Sequence, residues 1–255
     1  MKHAFLDHHS GIDSPIHRLD ARAKVIVFFT FVLVGVSLPP DSFVMFGLLA
    51  TALAGIALVA KLPLGHLARK MLVVLPFLFF VAVSVPFMKK GEVGGSYDLG
   101  FGGVSVSQSG LWVLWNVLIK AVLSIFSVLL LYSTTPFPKM IKGMEKLYFP
   151  KIFIVLISFM YRYSFILVDE IQRMKRARDA RGFGGRWLWQ AKTLGHMIGT
   201  LFLRGFRRGE RVYVAMLSRG YDGTMPEIFS GRWGRGEILF LTLVPFLLYL
   251  RFVLG

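Results

Sequence analysis

The chain has no cysteine, which removes disulfides, thiolate metal sites and thiol catalysis together. Acidic side chains are scarce: 14, against 30 lysines and arginines, for a formal net charge of +16. Charged residues of both signs make up only 17% of the 255 residues, while 55% are hydrophobic and 24 are Phe. A soluble domain of this length carries more charge and less apolar surface. There is no Gly-x-x-x-x-Gly-Lys-Ser/Thr phosphate loop, so any ATP hydrolysis has to happen on another chain. No apolar run carries a His, Asp or Glu cluster able to hold a metal ion at membrane depth, and Met-rich clusters are missing too. A cleavable leader is not expected, because the first residues are polar and include His8 and His9.

What remains is a set of apolar runs close to the thickness of a bilayer. They read as an all-α integral membrane protein with about five transmembrane helices. The expected spans are roughly 21–38, 43–60, 71–88, 111–133 and 237–253. Ser14-Pro15 marks a short helix start before the first span, with Ser as cap and Pro at the first position. The first span is short, so Arg22 and Lys24 are expected to snorkel to water. Pro39-Pro40-Asp41-Ser42 turns the chain into the second span. Pro76 and Pro86 should kink the third. Residues 89–110, rich in Gly and Ser, read as an outside loop with a short hairpin near 104–106. Asp7, His8 and His9 lack metal-ligand spacing and read as a solvated terminus.

The fourth span carries Asn116 and Lys120. An ionisable residue at that depth is a functional candidate; otherwise Lys120 faces the bundle interior, pairing with polar groups or snorkelling.

Residues 134–236 hold 19 of the 30 basic residues and seven acids, a net of +12. The run 152–168 is apolar enough to pass as a span. If it crossed, the basic stretch 173–186 would lie outside, against the positive-inside rule. It therefore reads as the apolar half of a long amphipathic helix at 151–181, lying along the inner membrane surface. A second long helix is expected at 187–219, and a shorter one at 139–148. Gly195 and Gly199, then Gly205 and Gly209, stand at GxxxG spacing in the second long helix. Interior glycines cost about 1 kcal/mol each relative to Ala, so four of them suggest a close crossing by another helix. This divides the chain into 1–135 (four spans), 136–232 (a cytoplasmic coupling domain of crossed amphipathic helices) and 233–255 (a last span). The N-terminus and coupling domain are expected on the cytoplasmic side of a multi-pass inner-membrane protein.

Each long helix closes on the same pattern. The first copy is Arg173-Met-Lys-Arg-Ala177-Arg-Asp-Ala180-Arg181-Gly182-Phe183; the second is Arg211-Val-Tyr-Val-Ala215-Met-Leu-Ser218-Arg219-Gly220-Tyr221. Positions one, five and nine share a helical face. The glycine suits the left-handed residue just past a helix end, and the preceding Arg suits the negative end of the helix dipole. Ordinary capping explains one such match; two copies suggest a partner offering the same socket twice.

This combination closely resembles the transmembrane T component of energy-coupling factor transporters, over nearly the whole chain. Ala180-Arg181-Gly182 matches the family's first motif, and Ser218-Arg219-Gly220 departs from the second only by Ser for Ala. Residues 12–24 (Ile-Asp-Ser-Pro-Ile-His-Arg-Leu-Asp-Ala-Arg-Ala-Lys) and the aromatics Phe183 and Tyr221 resemble the cobalt/nickel branch. The resemblance implies a non-catalytic scaffold. It would join a substrate-binding membrane subunit to two ABC-type ATPases, which hold the ATP and Mg; this chain would hold no cofactor and no metal. Each Arg motif would dock in one ATPase. Nucleic acid is not an expected partner, since the basic insert has no recognisable binding motif.

The sequence leaves two rivals. An intramembrane enzyme would need paired carboxylates or a nucleophile–base set, and the only adjacent acidic pair, Asp169-Glu170, sits beside a basic run. A stand-alone channel would have only Asn116 and Lys120 as pore-like residues.

Overall fold

A computed structural model describes residues 14–62, 64–88, 96–98, 105–181, 187–223 and 234–254. Its first helix, α1 (Pro15–Arg18), starts at Pro15, and the Ser14 hydroxyl accepts from the His17 amide at 3.4 Å. Asp20 caps α2 (Ala21–Ser37) by accepting from the Arg22 amide at 3.1 Å. The chain continues through α3 (Phe43–Val59), α4 (Leu64–Met88) and a small antiparallel hairpin of β1 (Ser96–Asp98) and β2 (Ser105–Ser107). Tyr97 pairs with Val106 there, and β2 lies one residue along from the expected 104–106. Then come α5 (Gln108–Thr134), α6 (Phe137–Glu145), α7 (Lys151–Ala180), α8 (Trp187–Leu217), α9 (Arg235–Leu241) and α10 (Leu243–Leu254).

The fold class is all-α and membrane-type. Among the described residues, three helical stretches are long and apolar enough to cross a membrane: Trp112–Thr134, Lys151–Ala180 and Gly236–Val253. In hydrocarbon every backbone donor and acceptor must be satisfied within the segment, which is what helices achieve. Apolar side chains lie on both the inward and the outward faces of α2 and α3. Val27, Phe28, Phe31 and Val34 of α2 and Met45, Leu49, Leu53 and Ala57 of α3 face inward, at helical spacing, in one hydrophobic core. On the outward faces Phe29, Val44, Val73 and Phe80 are exposed, as suits contact with lipid.

Two elements differ from expectation. Helix α4 begins at Leu64 instead of 71, and Leu67 already packs into the core; Pro76 and Pro86 both lie within the one helix. The last span is divided at Thr242, which itself stays helical in backbone and donates to the Ile238 carbonyl at 3.1 Å. Pro245 has no amide proton to offer Leu241 and crowds its carbonyl, so α9 ends there and α10 restarts one residue later.

Residues 144–230 form one compact unit, and the described residues before and after them form the other. Helix α6 belongs to the latter through Ile141 and Gly143, both buried.

Candidate functional site

Both copies of the repeat end a helix. In α7, Arg181 is the cap residue, its amide bonded to the Arg178 carbonyl at 3.1 Å; Gly182 lies outside the described residues. In α8 the geometry is complete. Gly220 has φ +77, its amide donates to the Leu217 carbonyl at 3.0 Å, and the Tyr221 amide donates to the Met216 carbonyl at 3.1 Å. That pair of bonds is the Schellman closure, which needs a left-handed residue and so favours Gly. The Ser218 hydroxyl bonds back to the Val214 carbonyl at 3.0 Å.

The repeated row faces solvent on both helices. Arg173, Ala177, Ala180 and Arg181 are exposed, as are Arg211, Ala215, Ser218 and Arg219, while Met174, Val212 and Met216 are half-buried. Among the described residues of this unit only Ile154 is fully buried. Two helices of 30 and 31 residues with almost no core between them present their surface to something else.

The two helices meet near mid-length. Arg204 of α8 makes an ion pair with Glu170 of α7, and one residue on, a Cβ added at Gly205 would lie 3.6 Å from Leu167 Cδ2. Added Cβ atoms at Gly195, Gly199 and Gly209 would meet nothing within 4 Å. Of the four glycines, Gly205 is therefore the one α7 approaches. The other three lie along α8 beside Ile198, Phe202, Phe206 and Tyr213, all exposed.

In the membrane bundle, Lys120 is engaged by protein. Its ammonium donates to the Leu38 carbonyl at 2.6 Å, and Leu38 is the cap residue that ends α2. A cation there satisfies a terminal carbonyl and the negative end of the α2 dipole. Asn116, one turn earlier on α5, is buried, and its Nδ2 has no hydrogen-bond partner among the described residues. The Ser127 hydroxyl ties α5 to the Phe28 carbonyl of α2 at 3.0 Å.

Lys24 does not snorkel. It is 1% exposed, and its ammonium donates to the carbonyls of His17 at 3.3 Å and Thr134 at 3.1 Å. The carboxyl ends of α1 and α5 converge on it, so it finds acceptors inside the protein and has no need of water. Arg22 stays beside Asp20, 3.8 Å away. Sequence reasoning missed this cluster; its one visible trace is a lysine within four residues of the Asp20 cap at the head of an apolar run. Among the described residues no group of three His, Cys, Asp or Glu could hold a metal ion.

The profile of the CbiQ family, described as cobalt transport protein, matches residues 13–228. The chain is 30% identical over 222 residues to the energy-coupling factor transporter transmembrane protein EcfT of Lactococcus lactis subsp. cremoris, covering 83% of this chain and 82% of that one. It is 26% identical over 256 residues to EcfT of Limosilactobacillus fermentum, covering 95% and 94%. A Methanocorpusculum labreanum protein, named as a fused cobalt transport protein CbiMQ, is 26% identical over 234 residues. That match takes in 88% of this chain and 38% of the fused protein, so this chain spans well under half of the fusion.

Proposed function

The chain belongs to the CbiQ family of cobalt transport proteins, the transmembrane components of energy-coupling factor transporters, and from that we propose that it is the coupling subunit of an importer for cobalt or nickel ions. Two ABC-type ATPases bind its cytoplasmic helices, one at each Arg motif, and a separate membrane subunit holds the ion. ATP and Mg belong to the ATPases. Closing of the ATPase pair moves α7 and α8, and that motion tilts the substrate-binding subunit to release its ion inward. The N-terminus and residues 144–230 face the cytoplasm of an inner membrane, with α7 lying at the surface: Arg162 interrupts its apolar half, and a basic run follows.

One observation carries this reading. Arg181 lies 14 residues beyond Leu167 (181 − 167), and Arg219 lies 14 beyond Gly205 (219 − 205), so two equal arms of about 21 Å of helix leave one contact point. Each arm ends in the same exposed Ala-or-Ser, Arg surface. Equal arms with equal tips suit a partner that presents one socket twice, as two like ATPases do. Co-expression with the ATPases and the substrate-binding subunit tests it. The parent chain should co-purify with both, and the double variant Arg181→Ala/Arg219→Ala should lose the ATPases or leave them hydrolysing ATP without ion uptake. A double variant that assembles and transports like the parent would reduce the motifs to helix caps.

A further inference from the structure

The short block from Ser14 to Lys24 is where the membrane bundle holds both ends of the chain segment that carries the Arg motifs. On the outgoing side, α5 is fastened by Lys24, whose buried ammonium takes the Thr134 carbonyl at the end of that helix. The same ammonium takes the His17 carbonyl near the end of α1. Immediately afterwards α6 lies against the head of α2. A Cβ at Gly143 would stand 3.2 Å from the Ala21 carbonyl carbon, the Ala21 Cβ and the Arg22 amide nitrogen, so only Gly permits that approach without a backbone shift. Eight residues beyond Gly143, α7 begins at Lys151, behind Pro150. On the returning side, Gly236 of α9 comes so close that a Cβ would lie 3.3 Å from Leu19 Cδ2, and Phe240 meets Phe28 edge-on with ring centroids 6.2 Å apart.

A buried lysine is costly without a counter-charge. Asp20 supplies an opposite charge nearby, but the hydrogen bonds go to two backbone carbonyls, one at the end of α5, where the partial negative charge of that long helix gathers, and one in α1. The lysine therefore does something neither helix can do alone: it fixes the end of α5 against the start of α2. A pull arriving through α6 then meets a rigid junction and not a loose joint at Thr135-Pro136.

We propose that Lys24 is a positioning residue, the clasp through which movement of residues 144–230 is passed to the membrane bundle. This rests on the coupling function proposed above. It touches neither ion nor nucleotide, and its effect falls on the yield of transport per ATP.

The test uses the full complex of this chain, two ATPases and the substrate-binding subunit in proteoliposomes, supplied with cobalt or nickel ions separately. The reading is ions moved per ATP hydrolysed. A subunit that is merely less stable lowers both rates together and leaves their ratio alone. Lys24→Met keeps the length of the side chain but removes its donors. Gly143→Ala adds a single methyl that must push α6 off the head of α2. Both variants should retain the ATPases while the ratio falls by about 2- to 30-fold, the range for residues that carry coupling without contacting a ligand. A parent-like ratio in Lys24→Met, or in Gly143→Ala should Lys24→Met not assemble, would overturn the clasp alone. Loss of assembly in both would overturn it too, leaving the block a folding determinant only. A parent chain that never binds the ATPases would remove the functional reading and the clasp with it.

Discussion

Arg204 of α8 and Glu170 of α7 form an ion pair next to the point where Leu167 covers Gly205. Arg204 is 59% exposed, so the charge attraction is worth about 0–1 kcal/mol and cannot hold two long helices together by itself. Packing at Gly205 has to supply the rest. Position 205 has room for a methyl at ordinary contact distance but not for a branched side chain.

Gly205→Ala is therefore expected to leave the helix pair intact and to gain up to about 1 kcal/mol of helix propensity. Gly205→Leu should force Leu167 aside and loosen the pair. Gly199→Leu, with open space above it, should leave the isolated chain unchanged. Protease resistance of α7 and α8 in the purified chain, read for all three variants, checks this. Should Gly199→Leu weaken the assembled complex while sparing the chain alone, that glycine meets a partner and not α7.

Local signals in the sequence located most elements. Ser14-Pro15 opens α1, the Pro39-Pro40-Asp41 turn separates α2 from α3, and Pro150 sets the start of α7 at Lys151. Gly220 ends α8 as a left-handed residue because no other residue type adopts that backbone so cheaply. Relations across the chain were not legible. Lys24 and Thr134 are 110 residues apart and meet through a backbone carbonyl, which leaves no side-chain pattern to read. Lys120 finds the Leu38 carbonyl in the same way, 82 residues away. The GxxxG spacing at 195–209 marks small residues on one face, yet only tertiary packing decides that Gly205 alone is covered by α7. The last span was expected unbroken over 237–253; Pro245 acts at the carbonyl four residues back, and so divides it at Thr242.

Lys120 should behave as a cap and not as a pore residue. Lys120→Met leaves the Leu38 carbonyl without its charged donor, at a cost of about 1–3 kcal/mol. Detergent-solubilised protein should melt at a lower temperature, while ion selectivity of the assembled transporter stays as in the parent. A changed selectivity with unchanged melting would place Lys120 on the ion's path.

The orientation of α7 separates a surface-lying helix from a span, since Lys151–Ala180 is long and apolar enough for either. A protease site placed at 184–186 is expected to be cut only from the cytoplasmic side. An outside location would strand Arg173, Lys175, Arg176, Arg178, Arg181 and Arg186 across the membrane from where basic loops belong. Cleavage from the outside would make α7 a membrane span and put the first Arg motif beyond reach of any ATPase.

The arms of the two Arg motifs should act as a pair, and single substitutions can show it. A charge-assisted contact from Arg to a partner carboxylate is worth about 1.5–3 kcal/mol, and truncating one member of a buried pair costs about 2–5 kcal/mol. Arg181→Ala or Arg219→Ala alone should thus weaken ATPase binding substantially, yet leave the second tip and the exposed apolar residues Tyr213, Val214 and Leu217 to hold the complex. Arg181→Glu should be worse than Arg181→Ala, because it sets like charges in one groove instead of leaving a gap. Arg219 sits on a closed Schellman turn beside Tyr221, so Gly220→Ala should mimic loss of Arg219 by straining the backbone that presents it. Binding of the purified ATPases to each variant in detergent, followed by ion uptake, ranks them. The expected order of increasing damage is either single alanine, then the charge reversal, then the double alanine; equal damage from Arg181→Ala and Arg181→Glu would mean that the partner groove offers Arg181 no carboxylate.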